Sequence, residues 1–233
     1  MVRNPGVNCQ VVIARRPEGR PRVDDFRIVE TPIPTPADGE FLVRAHYVSI
    51  DPLSRVRMRE RAGYGATIPV GGVVWGRSVG EIVESRNPGF RVGEFVEGML
   101  GWQEFAVSQG ETRRAEYAAG VSKVDPAVAP ISTSLGILGM PGATAFFAMT
   151  EIGKPKLGET IVVSAAAGTV GSIAAQIARI AGCRVIGIAG RQDKLQYLTD
   201  VLGLDGAISY RDRAAFPREL DRHCPDGVDV YFD

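Results

Sequence analysis

A run of small residues, AAAGTVG at positions 165–171, has the spacing of a turn that holds a phosphate group. Gly168 and Gly171 fill the second and third glycine positions of the pattern G-x-G-x-x-G, and Ala166 stands in the first. The second glycine lets backbone N–H groups approach a pyrophosphate, and the third lets the following helix pack closely on the preceding strand. Thr169 and Val170 lie at the predicted start of that helix, where unpaired N–H groups attract an anion. All five residues are therefore assigned to a cofactor site.

The alternative interpretation is a tight strand-to-helix turn that binds nothing. The surrounding sequence favours a binding turn, because an apolar strand, ETIVVSA, precedes it and a second strand, RVIGIAG, follows the helix. One face of the helix carries apolar residues at helical spacing, at Val170, Ile173, Ala174, Ile177 and Ala181. A kinase-type phosphate loop is excluded, since the chain contains no G-x-x-x-x-G-K-[ST] sequence.

The end of the second strand, in the sequence IAGRQDK, indicates which dinucleotide is bound. Sites for NAD usually carry an acidic residue here for the ribose 2′-hydroxyl, but this chain has Gly190 followed by Arg191 and Lys194. A small residue followed by cations suits a 2′-phosphate, so we predict NADP(H). Alternatively, the two cations are solvated charges at the start of a helix. Basic residues are unfavourable there without a partner, and Asp193 offers some local compensation.

The order of the elements predicts an α/β protein with two domains. Residues 1–130 read as short β-branched runs between glycine and proline turns, and residues 131–233 read as strands that alternate with helices, which predicts a parallel sheet. The apolar stretch 131–153 is interrupted by Ser, Thr and Met-Pro-Gly and is predicted to be a buried helix with a break, not a membrane span.

Composition and charge narrow the class of protein. The 233 residues include 27 basic and 27 acidic side chains, so nothing favours nucleic acid or an anionic membrane as a partner. The three cysteines are far apart and the chain has two histidines, which predicts no metal site and a reducing, cytoplasmic setting. The basic stretch 55–63 is interpreted as a solvated surface, His46 as a strand histidine, and Trp75 and Trp102 as core or interface aromatics.

Four segments resemble the zinc-free medium-chain dehydrogenase/reductases, in the branch of alkenal/one oxo double-bond reductases, which are also called prostaglandin or leukotriene reductases. They are VSIDPLSRVRM, GRSVGEIVESRNPGFRVGEFVEGMLGW, LGILGMPGATAFFAM followed by IGKPKLGETIVVSAAAGTVGS, and GVDVYFD. The resemblance covers nearly the whole chain, and the third segment is the most specific. It implies a chaperonin-10-like (GroES-like) β-barrel followed by a Rossmann domain that binds NADPH in the crevice between them.

The resemblance also implies roles for individual residues and a reaction. Met140 and Thr144 would face the nicotinamide, and Lys194 and Tyr210 would contact the 2′-phosphate. The reaction would be NADPH-dependent reduction of the carbon–carbon double bond of α,β-unsaturated aldehydes or ketones, with hydride passing to the β-carbon and a proton to the α-carbon. The partner implied is a small enal or enone, and a second copy of the chain is left open as a further partner.

Two features depart from the family pattern. Leu53 and Ser54 stand where relatives carry Tyr or Ala and then Met, which changes the expected shape of the substrate pocket. The chain also ends at VYFD, where relatives continue through further Rossmann strands, so we expect a C-terminally truncated form with an exposed edge strand. The alternatives are a quinone reductase of the zeta-crystallin kind and an inactive NADP-binding remnant. The catalytic residue is left unassigned.

Overall fold

The computed structural model describes residues 6–61, 66–110 and 120–233. The chain forms two compact units, Met1–Leu135 and Gly136–Asp233, and each is described by itself. The predicted fold class is confirmed, because the first unit is built on antiparallel strands and the second on a parallel sheet with helices.

The described part of the N-terminal unit contains strands, one short α-helix and two 3₁₀ turns. The strands are β1 (Val7–Ile13), β2 (Phe26–Pro32), β3 (Phe41–Val48), β4 (Ser78–Ser85), β5 (Phe95–Gly98), β6 (Phe105–Ser108) and β7 (Val121–Val124). The helix α1 is Pro52–Arg57, and the 3₁₀ turns are Val23–Asp25 and Ile131–Leu135.

Strands β1 and β2 form an antiparallel pair, and the other five form an antiparallel sheet in the order β6-β3-β4-β5-β7. Phe41 and Val43 of β3 lie two residues apart, on the same face of the pleat, and form one fully buried cluster with Ile82 of β4. Phe41 also stacks on Phe90, with 4.3 Å between ring centroids. This unit is therefore held by a conventional sheet core.

The C-terminal unit alternates helices and strands as predicted. The helices are α2 (Met140–Phe147), α3 (Thr169–Ile180), α4 (Gln192–Gln196) and α5 (Phe216–His223), and π-helical turns extend α2 through Ala148–Gly153 and α4 through Tyr197–Val201. The strands are β8 (Thr160–Val163), β9 (Arg184–Ala189), β10 (Gly206–Ser209) and β11 (Val230–Phe232).

The four strands of this unit are parallel and lie in the order β10-β9-β8-β11. Numbered along the chain this is 3-2-1-4, the order of one Rossmann half and its neighbouring strand. One face of the sheet packs on α3 and on Leu198, and the other packs on α5 through Phe216 and Leu220. Strand β11 is an edge strand among the described residues, as predicted, and the side chain of Tyr231 is 60% exposed.

The apolar stretch 131–153 is less buried than the sequence predicted. Its helix buries Gly142, Ala145 and Met149, which lie at helical spacing, but Phe146, Phe147 and other apolar side chains of the stretch are exposed. The prediction of a buried helix is therefore wrong for most of its surface. Among the described residues no helix has both the length and the apolar character that a membrane crossing requires.

Candidate functional site

The turn between β8 and α3 leaves backbone donors open at the start of the helix. Gly168 is the N-cap and has no side chain with which to cap the helix. Its own N–H donates to the Ala165 carbonyl (2.7 Å), and the Ser172 N–H donates to the Gly168 carbonyl (2.9 Å). The N–H groups of Thr169, Val170 and Gly171 lie in the first turn, where no intrahelical acceptor exists. Gly168 and Thr169 are exposed, so these donors can reach an anion from solvent.

Small residues allow the helix to start this close to the strand. A Cβ atom on Gly171 would lie 2.6 Å from the Ala165 carbonyl oxygen and 2.9 Å from the Ala166 Cα. Ala166 is fully buried, and its N–H donates to the Ile188 carbonyl of β9 (3.0 Å). A Cβ on Gly187 would in turn lie 3.0 Å from the Ala166 Cβ. Packing therefore restricts the first position of the pattern to a small residue such as alanine, and the third position to glycine.

Ala165 is a feature of the turn that the sequence did not reveal. Its φ is +44°, in the left-handed region that non-glycine residues adopt at a cost of roughly 1 kcal/mol or more. This conformation directs its carbonyl to the Gly168 N–H. Ala165 is chemically identical to its neighbours Ala166 and Ala167, so no signal in the residue types could have distinguished it.

At the end of β9 the structure brings Gly190 and Tyr210 together. A Cβ on Gly190 would lie 2.3 Å from the Tyr210 phenol oxygen, so the ring occupies the space that a side chain would need. The Tyr210 N–H donates to the Ala189 carbonyl (3.3 Å), which ties the ends of β9 and β10. Tyr210 is 56% exposed, so this residue lies at the surface at this end of the strand.

The two predicted cations at the start of α4 differ in their surroundings. Arg191 is the N-cap residue and forms a two-pronged ion pair with Asp193, at 2.6 and 2.9 Å. This hydrogen bonding lowers the pKa of Asp193 below its usual value. Lys194 is exposed in the first turn of α4, and among the described residues no carboxylate lies within ion-pair distance of its ammonium group. Asp193 therefore compensates the charge of Arg191 and not that of Lys194.

Met140 and Thr144 lie on α2, which packs against α3. The Thr144 hydroxyl donates to the Met140 carbonyl (2.8 Å), and the Met140 side chain is 49% exposed. Gly142 lies between them, and a Cβ there would come within 1.8 Å of the Ile137 carbonyl oxygen, so the glycine is required for the start of the helix. The assignment of Met140 and Thr144 to the nicotinamide stays a prediction.

The cysteines of the C-terminal unit are not arranged as metal ligands. Cys183 packs on the α3 face of the sheet and Cys224 on the α5 face, and burial raises the pKa of both thiols. The residues 6–61, 66–110 and 120–233 hold no group of three or more His, Cys, Asp or Glu side chains placed to bind a metal ion.

The segment that departs from the family pattern is anchored to its own unit. The Ser54 hydroxyl donates to the Trp75 carbonyl (2.6 Å) and is buried, whereas Leu53 is 37% exposed. Arg57 is buried with its guanidinium 3.8 Å from the Trp75 ring centroid. The interpretation of 55–63 as a solvated surface is therefore wrong for Arg57, whose charge is held by an aromatic face. Residues 62 and 63 lie outside the described residues.

The predictions for the two tryptophans and for His46 fit the structure. Trp75 and Trp102 pack against a buried cluster that contains Met58 and Ile68. His46 lies within strand β3, with its Nε2 3.8 Å from a Glu81 carboxylate oxygen of β4.

Two family profiles match the chain. Residues 9–115 match a profile described as the N-terminal domain of oxidoreductase, and residues 169–233 match one described as zinc-binding dehydrogenase. Together they cover most of the chain and fall one in each compact unit.

Curated relatives align along almost the whole chain. They include a putative NADP-dependent oxidoreductase, YfmJ, of Bacillus subtilis (strain 168), 46% identical over 96% of this chain and 63% of its own length. NADPH-dependent curcumin reductase of Escherichia coli (strain K12) is 39% identical over 97% of this chain and 63% of its own length. The NADP(+)-dependent 2-alkenal reductase of Nicotiana tabacum is 35% identical over 97% and 65%. The chain therefore spans less than two thirds of the length of these relatives.

A solved structure agrees with these sequence comparisons. The structure of CurA from Vibrio vulnificus in complex with NADPH superposes with a TM-score of 0.87 at 40% identity, and covers 97% of this chain and 64% of its own. With both units matched by family profiles and with relatives aligned over 96–97% of its residues, the chain belongs to the medium-chain dehydrogenase/reductase family, among relatives that include curcumin reductase and 2-alkenal reductase.

Proposed function

We propose that this chain forms the nucleotide-binding and N-terminal parts of an NADPH-dependent reductase that acts on the carbon–carbon double bond of α,β-unsaturated aldehydes and ketones. The observation that carries the proposal is the uncapped N-terminus of α3 behind the turn 165–171. Its open donors and its close packing on β8 suit a pyrophosphate, which is the group that a dinucleotide presents at this point of a Rossmann sheet.

The preference for NADPH over NADH is proposed from the end of β9. Gly190 carries no carboxylate to repel a 2′-phosphate, and the Tyr210 hydroxyl lies directly against it. Lys194 is exposed in the adjacent first turn of α4 and its charge is not neutralised by a described carboxylate. A phosphate held here would accept hydrogen bonds from the phenol and the ammonium group, and these charge-assisted bonds are about twice as strong as neutral ones.

The substrate class is proposed from the relatives, two of which are named for the reduction of curcumin and of 2-alkenals. Bound NADPH would supply the hydride that adds to the β-carbon of the enone. In this proposal the turn 165–171 and the end of β9 bind and orient the dinucleotide. Met140 and Thr144 are proposed to lie beside the nicotinamide, and the proton donor to the α-carbon is unassigned.

We further propose that the reaction does not use zinc. Cys183 and Cys224 lie on opposite faces of the sheet, and the part of the chain that the structure describes holds no group of three or more His, Cys, Asp or Glu side chains placed to bind a metal ion. A reducing, cytoplasmic location is also proposed, because the three cysteines are far apart in sequence and Cys183 and Cys224 lie on opposite faces of the sheet.

The test is oxidation of NADPH followed at 340 nm with a simple 2-alkenal and with a quinone as acceptors. Turnover with the alkenal, faster with NADPH than with NADH, is the expected result. Turnover with the quinone alone would favour a quinone reductase of the same fold. Nucleotide binding without turnover on either acceptor would contradict the proposed reductase activity for this chain and leave a nucleotide-binding module.

A further inference from the structure

The N-terminal unit concentrates positive charge in two short segments. Residues 15–22 contain four arginines and one glutamate, and residues 55–61 contain another four arginines and one glutamate. The chain as a whole has a formal net charge of zero. The proposed dinucleotide site lies in the other unit and does not involve these arginines.

Hydrogen bonds bring the two segments together without neutralising them. Arg16 Nη1 donates to the carbonyl oxygens of Met58 (2.9 Å) and Arg59 (2.8 Å). From the other segment, Arg55 Nη2 donates to the carbonyl oxygens of Gly19 (2.7 Å) and Pro17 (3.2 Å). These acceptors are neutral, so both guanidinium groups keep their full charge beside the other arginines.

A cavity of about 330 Å³ opens at this place, lined by Arg15, Arg16, Glu18, Arg22 and Asp25. Asp25 is already engaged within the wall, because it accepts from Arg15 Nε (2.8 Å) and from the Arg22 backbone N–H (2.7 Å). Among the described side chains, the lining residues Arg16, Glu18 and Arg22 form no ion pair, and the Nη1 of Arg16 is engaged by the two carbonyls named above.

We propose that this cavity binds a small phosphorylated ligand that also carries hydroxyl groups, such as a sugar phosphate. Guanidinium groups form paired hydrogen bonds to phosphate oxygens, which matches Arg16 and Arg22. A carboxylate at the same site repels a bare anion but accepts hydrogen bonds from hydroxyls, which matches Glu18. A volume of about 330 Å³ is large enough for a small molecule. The described lining of the cavity contains no aromatic side chain on which a nucleic-acid base could stack.

The test is isothermal titration of the 233-residue protein with ribose 5-phosphate and with inorganic phosphate at constant ionic strength. Arg22→Ala removes one guanidinium of the cavity, and Arg27→Ala is the matched control, because Arg27 is an exposed arginine of β2 outside the cavity. We expect saturable binding of ribose 5-phosphate, weakened about tenfold by Arg22→Ala and less than about twofold by Arg27→Ala, as the loss of one charge-assisted contact predicts. We expect inorganic phosphate to bind more weakly than ribose 5-phosphate, since it cannot satisfy Glu18.

Three results would overturn the proposal. They are no saturable heat with ribose 5-phosphate, an equal effect of the two arginine variants, and displacement of ribose 5-phosphate by single-stranded DNA that binds more tightly. Binding of ribose 5-phosphate at this cavity should be independent of nucleotide binding at the proposed dinucleotide site. Lys194→Ala should leave binding of ribose 5-phosphate unchanged, and Arg22→Ala should leave binding of NADPH unchanged.

Discussion

Replacing Gly171 with alanine tests whether close backbone packing shapes the turn 165–171. In an ordinary helix the change from glycine to alanine raises stability by up to about 1 kcal/mol. Here the new methyl group would lie 2.6 Å from the Ala165 carbonyl oxygen and 2.9 Å from the Ala166 Cα, and both are backbone atoms. The helix must move away, and overpacking of this kind costs roughly 1–3 kcal/mol. We therefore expect Gly171→Ala to lower the free energy of unfolding of the C-terminal unit by about 1–2 kcal/mol.

Urea unfolding followed by two signals measures this effect in the correct unit. The helices α2 to α5 lie in the C-terminal unit, so circular dichroism at 222 nm reports mainly on it, whereas Trp75 and Trp102 report on the N-terminal unit. The control Ser172→Ala alters the neighbouring position and should change stability by less than about 0.5 kcal/mol. If Gly171→Ala proves as stable as the wild type or more stable, Gly171 is an ordinary helix residue and the packing argument for the turn is refuted.

Three further changes test other parts of the structure. In Gly190→Ala the new methyl group meets the exposed Tyr210 ring, which can rotate away, so the free energy of unfolding should change by less than about 0.5 kcal/mol. The dissociation constant for NADPH should nevertheless rise about tenfold in a fluorescence titration. Ala165→Val places a β-branched residue at φ +44° and should lower the free energy of unfolding by about 1–2 kcal/mol, whereas Ala167→Val should be nearly neutral in the same urea experiment. The hydrogen bond from Arg15 lowers the pKa of Asp25 in the folded protein. The ionised Asp25 therefore stabilises the fold above its unfolded pKa of about 4, and this stabilisation is lost as the pH falls through the lower folded pKa. Acid unfolding followed by tryptophan fluorescence should show that Asp25→Asn removes this dependence of stability on pH.

The turn and the order of elements could be predicted because they depend on local residue types. Gly168 and Gly171 are recognisable by spacing alone, and the alternation of strands and helices follows from hydrophobic period. The left-handed conformation of Ala165 could not be predicted, because three successive alanines are chemically alike and only the carbonyl–amide contact to Gly168 selects one of them.

Contacts between segments distant in sequence were the least predictable. The buried position of Arg57 depends on Trp75, and a basic stretch considered alone suggests only solvated charge. The placement of Tyr210 against Gly190 depends on the pairing of β9 with β10, which residue types do not specify. The exposed apolar residues of α2 were also missed, because periodicity identifies the buried positions Gly142, Ala145 and Met149 but not what covers the other face.

The most direct test of the central claim is the pair of dissociation constants for NADPH and NADH, measured for the wild type, Lys194→Ala and the control Lys156→Ala. Lys156 is an exposed lysine of the same unit that lies before β8. We predict that the wild type binds NADPH at least about tenfold more tightly than NADH, that Lys194→Ala removes this preference without changing NADH binding, and that Lys156→Ala keeps it. Equal affinity of the wild type for the two nucleotides, or an unchanged preference in Lys194→Ala, would contradict the account of this site.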